Sequence, residues 1–153
     1  MRHAPRGLVT SGLVALLSSL LLLGVVAAPA SASTDLRDKM LAATNRSRDS
    51  HGRDTLKLNK AMSKLARQHS VAMADKGRLF HTTDPAEEYL DGMGWSAWGE
   101  NVGMTSGSVG DLEKAFMGSD SHRTNILNGA FDHVAIGAVR RDGYLWVTVF
   151  FYG

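Results

Sequence analysis

The end of the chain limits the fold most. From His133 the sequence runs HVAIGAVRRDGYLWVTVFFYG. Val134, Ile136 and Ala138 alternate with smaller or polar neighbours, which is the two-residue period of a strand. Asp142-Gly143 is a pair suited to a tight turn. Leu145–Tyr152 (LWVTVFFY) is dense in β-branched and aromatic residues. A hairpin is therefore expected to close the chain, and the elements before it must cover its apolar faces.

Upstream the period changes to that of helices. Leu36, Met40, Leu41 and Thr44 fall on one helical face, which the charged run Arg46–Arg53 around Gly52 is expected to end. Thr55-Leu56-Lys57-Leu58 reads as a short extended bridge. Asn59 can cap a second helix, in which Met62, Leu65, Ala66, His69, Ala72 and Met73 keep 3.6-residue spacing until Gly77. Asp84-Pro85-Ala86-Glu87 combines a cap, a first-turn proline and a capping-box acid, predicting a short helix through Leu90. Val109, Leu112 and Phe116 form another helical stripe. Helices first and a hairpin last is an α+β order, not the alternation of a parallel sheet. With no internal repeat or low-complexity linker, residues 33–153 read as one domain.

The N-terminus is read apart from that domain. Arg2, His3 and Arg6 make a basic start, Leu8 through Ala28 is apolar, and Ala30-Ser31-Ala32 is a small-x-small site. That order is a secretory signal peptide, residues 1–32, with cleavage expected after Ala32. The apolar run is also long enough to span a bilayer, so an uncleaved anchor is the alternative. After cleavage no membrane attachment is expected. Of the 17 lysines and arginines, 15 then remain against 15 acids, so a basic nucleic-acid-binding face has no support. The absence of cysteine removes disulfides, thiol catalysis and Cys-based zinc sites.

Four polar positions stand out: His81 in RLFHTT, Glu100 in WGENVGM, and His122 with Arg123 in GSDSHRTNIL. Glu100 is a lone acid in an apolar, glycine-flanked stretch, and a buried carboxylate is costly unless a cation, a metal or hydrogen bonds compensate it. His69, on the apolar stripe of the second helix, is assigned to packing. His51 and His133 read as a loop residue and a strand-entry residue.

Together, the order ATNRSR, KLNKAMSKLARQHSVAMADKGRLFHT, GENVG, SHRTNIL, HVAIGAV and WVTVFFYG resembles the bacterial branch of the CAP superfamily. That superfamily comprises cysteine-rich secretory proteins, antigen 5 and pathogenesis-related proteins, also called SCP-like domains. The resemblance covers the chain from about residue 36 to the end. It implies an α-β-α sandwich, with helices on both faces of a central, mainly antiparallel sheet. It also implies a cleft where histidines and acids converge, and residue by residue these match His81, Glu100 and His122. In many members a second glutamate stands three residues after a tryptophan. Here those positions read Phe116 and Ser119, so that acid is missing, and Asp120 is the neighbouring candidate.

Two imidazoles and a carboxylate make a first shell for a divalent cation, zinc foremost, with water completing four-coordination. Without metal, Glu100 is expected to accept hydrogen bonds from His81 or His122. Asn101 is expected to tie its loop down, Arg123 to pin its segment through an ion pair, and Trp95 and Trp98 to line or rim the cleft. The resemblance implies a secreted, non-enzymatic domain binding a lipid or sterol-like ligand or a cell-envelope partner. The alternative is a metal-dependent peptide or ester hydrolase using the same cleft. No nucleophile-elbow serine or HExxH motif is present.

Overall fold

A computed structural model describes residues 30–153. The apolar run of the expected signal peptide lies outside them. The elements are α1 (Ala30–Asp49), β1 (Lys57–Leu58), α2 (Met62–Lys76), α3 (Pro85–Leu90), β2 (Trp98–Thr105), α4 (Val109–Gly118), α5 (Asp120–Ile126), β3 (His133–Arg141) and β4 (Tyr144–Tyr152). The expected cleavage point thus falls in the first turn of α1. No helix among the described residues is long and apolar enough to cross a membrane.

The hairpin organises the sheet. Arg141 pairs with Tyr144 across a two-residue turn in which Asp142 (φ 52) and Gly143 (φ 80) both take positive φ. β4 then pairs antiparallel with β2 on its other side, and β1 pairs parallel with the start of β3, giving the order β1-β3-β4-β2. Period-two alternation splits the hairpin between two cores. Val134, Ile136, Ala138, Leu145, Val147, Val149 and Phe151 meet Met40 and Ala43 of α1, the α4 stripe Val109, Leu112 and Phe116, and Ile126 of α5. On the other face, Ala135, Phe150 and Tyr152 meet Met62 and Ala66 of α2 with Tyr89 and Leu90 of α3. Farther along that face, Val139, Trp146 and Val102 meet Met73 and Ala74. The architecture is α+β, with helices on both faces of a mainly antiparallel sheet.

The local signals act as expected in most places. Asn59 Oδ1 accepts from Met62 N–H (3.1 Å), and Gly77 ends α2 in the left-handed conformation. Asp84 accepts from Glu87 N–H at the head of α3, and Ser108 and Asp111 form a reciprocal capping box on α4. Two segments differ from the sequence reading. WGENVGM is not a loop but the edge strand β2, and the segment holding His122 is itself a helix, α5. A third difference lies in the charged run after α1. The helix continues through Arg46 and Arg48, and Arg48 is only 1% exposed. Its guanidinium donates to the carbonyls of Asp54, Ile126, Asn128 and Phe131 at 2.7–3.0 Å. One charged side chain thus ties the end of α1 to the end of α5 and the turn into β3.

Candidate functional site

β2 positions the site because consecutive strand residues point to opposite faces. Glu100 and Asn101 are such neighbours. Glu100 turns toward the segment after α2, where its carboxylate meets three donors. His81 Nδ1 lies 2.7 Å from Oε1, Thr82 N–H donates to Oε1 at 3.0 Å, and Thr82 Oγ donates to Oε2 at 2.6 Å. The Glu100 side chain is 3% exposed, so these bonds are the compensation its burial requires. A carboxylate only accepts, so His81 Nδ1 carries a proton toward it. The ring itself is 63% exposed, with Nε2 as its remaining nitrogen.

Asn101 turns the other way, toward α5. It is fully buried, donates to the main-chain oxygen of His122 (3.0 Å), and accepts from Asn125 Nδ2 (2.8 Å). Asn125 also reaches Glu100 O (3.3 Å). The glycines on either side make this approach possible. A Cβ on Gly99 would stand 2.7 Å from Asn125 Oδ1, and one on Gly103 would stand 2.7 Å from the Phe116 ring. The GENVG segment is thus a strand whose acid grips one histidine segment and whose amide grips the other.

His122 does not bond Glu100. Its Nδ1 lies 2.9 Å from Ser119 Oγ, and its ring packs against Phe116 with centroids 4.9 Å apart. Burial, then electrostatic repulsion from the neighbouring His81, lowers its pKa. Ser119 therefore orients His122 from the position where the family resemblance implies an acid. Asp120 does not take that acid's place. Its side chain is 92% exposed and pairs with Arg123 (2.6 Å), the ion pair expected to pin this segment. The pKa of Glu88 in α3 is raised, by partial desolvation first and then by the charge of Glu100. Among the described residues, no group of three or more His, Cys, Asp or Glu side chains is arranged to hold a metal ion.

Trp98 and Trp95 are both exposed. Trp98 shares a strand face with Glu100 and stacks on Phe150 (6.0 Å), which also stacks on Tyr89 (4.2 Å). The segment carrying Trp95 is anchored where Ser96 N–H and Ala97 N–H donate to Gly153 O. His69 is buried, as its place on the apolar stripe implied, and its Nδ1 lies 3.1 Å from Thr148 Oγ. Burial lowers its pKa, and the Glu100 charge opposes that shift. Its Nε2 has no hydrogen-bond partner among the described residues. His51 and His133 bond Ser47 O and Asp132, respectively. Sequence reading missed Thr82. Thr82 was within sight, as the hydroxyl directly after His81.

Residues 41–151 match the CAP family, described as the cysteine-rich secretory protein family. The chain belongs to that family. This CAP domain, itself without cysteine, is 32% identical over 128 residues to the uncharacterized protein YkwD of Bacillus subtilis (strain 168). That alignment covers 80% of this chain and 49% of YkwD, so the chain spans about half the length of that relative. A crystallised cysteine-rich secretory protein from Staphylococcus aureus superposes with a TM-score of 0.67 at 25% identity, over 81% of this chain and 40% of that one. NaASP2, crystallised with Zn2+, shares the fold with a TM-score of 0.58 at 13% identity, over 82% of this chain and 83% of that one.

Proposed function

We propose that this CAP domain is an extracellular binding module rather than an enzyme. Its ligand docks at the β2 edge, against the exposed imidazole of His81 and the half-buried imidazole of His122, with Trp95 and Trp98 taking an apolar, lipid or sterol-like portion. The observation that carries this reading is the burial of Glu100 and its three hydrogen bonds to the His81–Thr82 segment. Three donors engage its carboxylate, two on Oε1 and one on Oε2, which favours a role in holding His81. A hydrolase of the peptide or ester class would need a carboxylate free to accept a proton from water. Glu100 is spent on hydrogen bonds and Asp120 is spent on Arg123, which argues for binding.

The same arrangement bears on a divalent cation. Histidines that hold metals commonly donate their other ring nitrogen to a carboxylate or a similar partner. His81 toward Glu100 and His122 beside Ser119 both fit that second-layer pattern, with Glu100 as orienter rather than ligand. His81 and His122 would hold the ion, zinc foremost, as a related CAP structure carrying Zn2+ encourages. Bound there, the ion would supply a Lewis-acid contact for a ligand oxygen. With two imidazoles as the protein ligands, affinity should be modest.

Calorimetric titration of zinc into the purified chain tests the cation, and lipid extraction with mass spectrometry tests the ligand. His81→Ala and His122→Ala should each weaken zinc binding, and the double variant should abolish it. Unchanged binding in the double variant would place the ion elsewhere. A chelator-sensitive peptidase or esterase activity in the wild-type chain would overturn the binding reading in favour of hydrolysis.

A further inference from the structure

The far edge of the sheet carries a second candidate site. β1 is two residues long and covers only His133 and Val134 of β3. Beyond it the exposed edge of β3 is closed by hydroxyls in place of a strand. Ser63 Oγ accepts from Ile136 N–H (3.1 Å), and Ser33 Oγ donates to Ala138 O (2.7 Å). The closure is not flush. A cavity of about 410 Å³ remains between the starts of α1 and α2, floored by Ile136 and Ala138. Four cations surround it, Arg37, Lys60, Lys64 and Arg67, and no lining residue is acidic.

Three of these charges are not matched internally. Arg37 pairs with Asp38 (2.8 Å), but Lys60, Lys64 and Arg67 have no carboxylate partner among the described residues. Lys60 lies in the turn before α2, and Lys64 and Arg67 follow at helical spacings of four and three, so the three share one side. Like charges so placed repel one another, a cost that a bound anion would remove. Arg67 is also fixed in advance. Its Nε donates to Ser33 Oγ (2.8 Å), which leaves the two terminal nitrogens of its fork for an oxyanion. An apolar floor beneath the cations strengthens their field at the pocket.

The geometry points to a binding site for phosphate groups, separate from the His81–Glu100 edge and independent of its reading. Three unpaired cations call for a multiply charged oxyanion, since a single carboxylate would neutralise one of them. The cavity has room for adjoining phosphates, so the ligand class is an oligophosphate or a phosphodiester chain.

Calorimetric titration of the full chain at low ionic strength, with tripolyphosphate and separately with short poly(glycerol phosphate), tests this. Binding of tripolyphosphate alone identifies a free anion, and binding of the polymer identifies a phosphodiester chain; either supports the site. Affinity should fall as salt rises, because the cations are partly solvated. The double variant Lys60→Gln/Lys64→Gln, whose side chains are exposed and leave the core untouched, should lose about tenfold or more in affinity, equivalent to 1.4 kcal/mol. Arg67→Lys, which keeps the charge and loses the fork, should also bind more weakly. Lys76→Gln/Lys114→Gln, remote from the cavity, should bind as wild type. Absence of binding by both probes, or binding unchanged in Lys60→Gln/Lys64→Gln, would overturn the proposal. So would citrate binding as tightly as tripolyphosphate, since it would remove the phosphate class.

Discussion

Two residues carry more than their own burial, and both do so by holding separate segments together. Glu100 fixes His81 and Thr82 on one face of β2, beside the Asn101 amide that fixes α5 on the other. Glu100→Gln keeps the shape but replaces one acceptor oxygen with a donor facing the donors of Thr82 and His81. It should cost about 1–3 kcal/mol in urea unfolding. If the chain binds zinc through the imidazoles, the same change should cost about 10–100-fold in affinity, as expected for a lost orienting partner. Arg48 is the second such residue. Arg48→Ala leaves four carbonyls without their donor and should destabilise by about 3 kcal/mol or more. Arg48→Lys should recover only part of this, because one ammonium cannot reproduce the spread of a planar fork. A lysine variant as stable as wild type would show that the charge alone matters.

At the scale of elements, two helices bury titratable groups whose effects run in opposite directions. Glu113 of α4 is buried against α1, accepting from Thr44 Oγ (3.1 Å), and burial pushes its carboxyl above the usual range. The folded chain therefore holds that proton to higher pH than the unfolded chain, and stability is lost as pH rises from about 4.5 toward the folded value. Glu113→Gln should raise the urea midpoint at pH 7 and remove that decline. His69 of α2 is the converse, with a pKa lowered by burial. Its unfolded form takes up a proton near pH 6.5, so stability is lost as pH falls below that value until the folded pKa is reached. His69→Gln should flatten part of the decline below about pH 6.5, to which His122, lowered in the same way, also contributes. Leu65, which shares that helix, is only partly buried, so Leu65→Ala should cost less than a full core truncation.

These elements also show what could be read in the sequence. α2 and the hairpin were legible because their apolar periods and terminating residues agree with their packing. β2 was not, since two glycines and an asparagine lower strand propensity and only contacts with β4 and α5 explain them. Arg48 was hidden because a charged run usually lies in solvent. Motif order pointed to a histidine on Glu100 but not to which one, and the structure shows His81. The outward direction of Asp120 depends on side-chain geometry that spacing does not encode.

For the molecule as a whole, the two edges of one sheet face different tasks. The β2 edge presents the histidines, whereas the β3 edge is sealed by serines from α1 and α2, a small solution to the exposure of unpaired strand groups. This makes the start of α1 part of the fold. If signal cleavage occurs after Ala32, Ser33 becomes the first residue and still reaches Ala138 O. N-terminal sequencing of exported protein should then begin at Ser33, and reductant should not change its stability, because the chain has no cysteine. Ser33→Ala removes the donor to Ala138 O and the acceptor for Arg67 Nε together, and should cost about 1–3 kcal/mol. Hydrogen exchange should locate the loss, with faster exchange along β3 beyond Val134 and little change on β2. Uniformly faster exchange across both edges would mean that α1 supports the whole sheet rather than this edge. An unchanged rate along β3 would mean that the hydroxyl seals nothing.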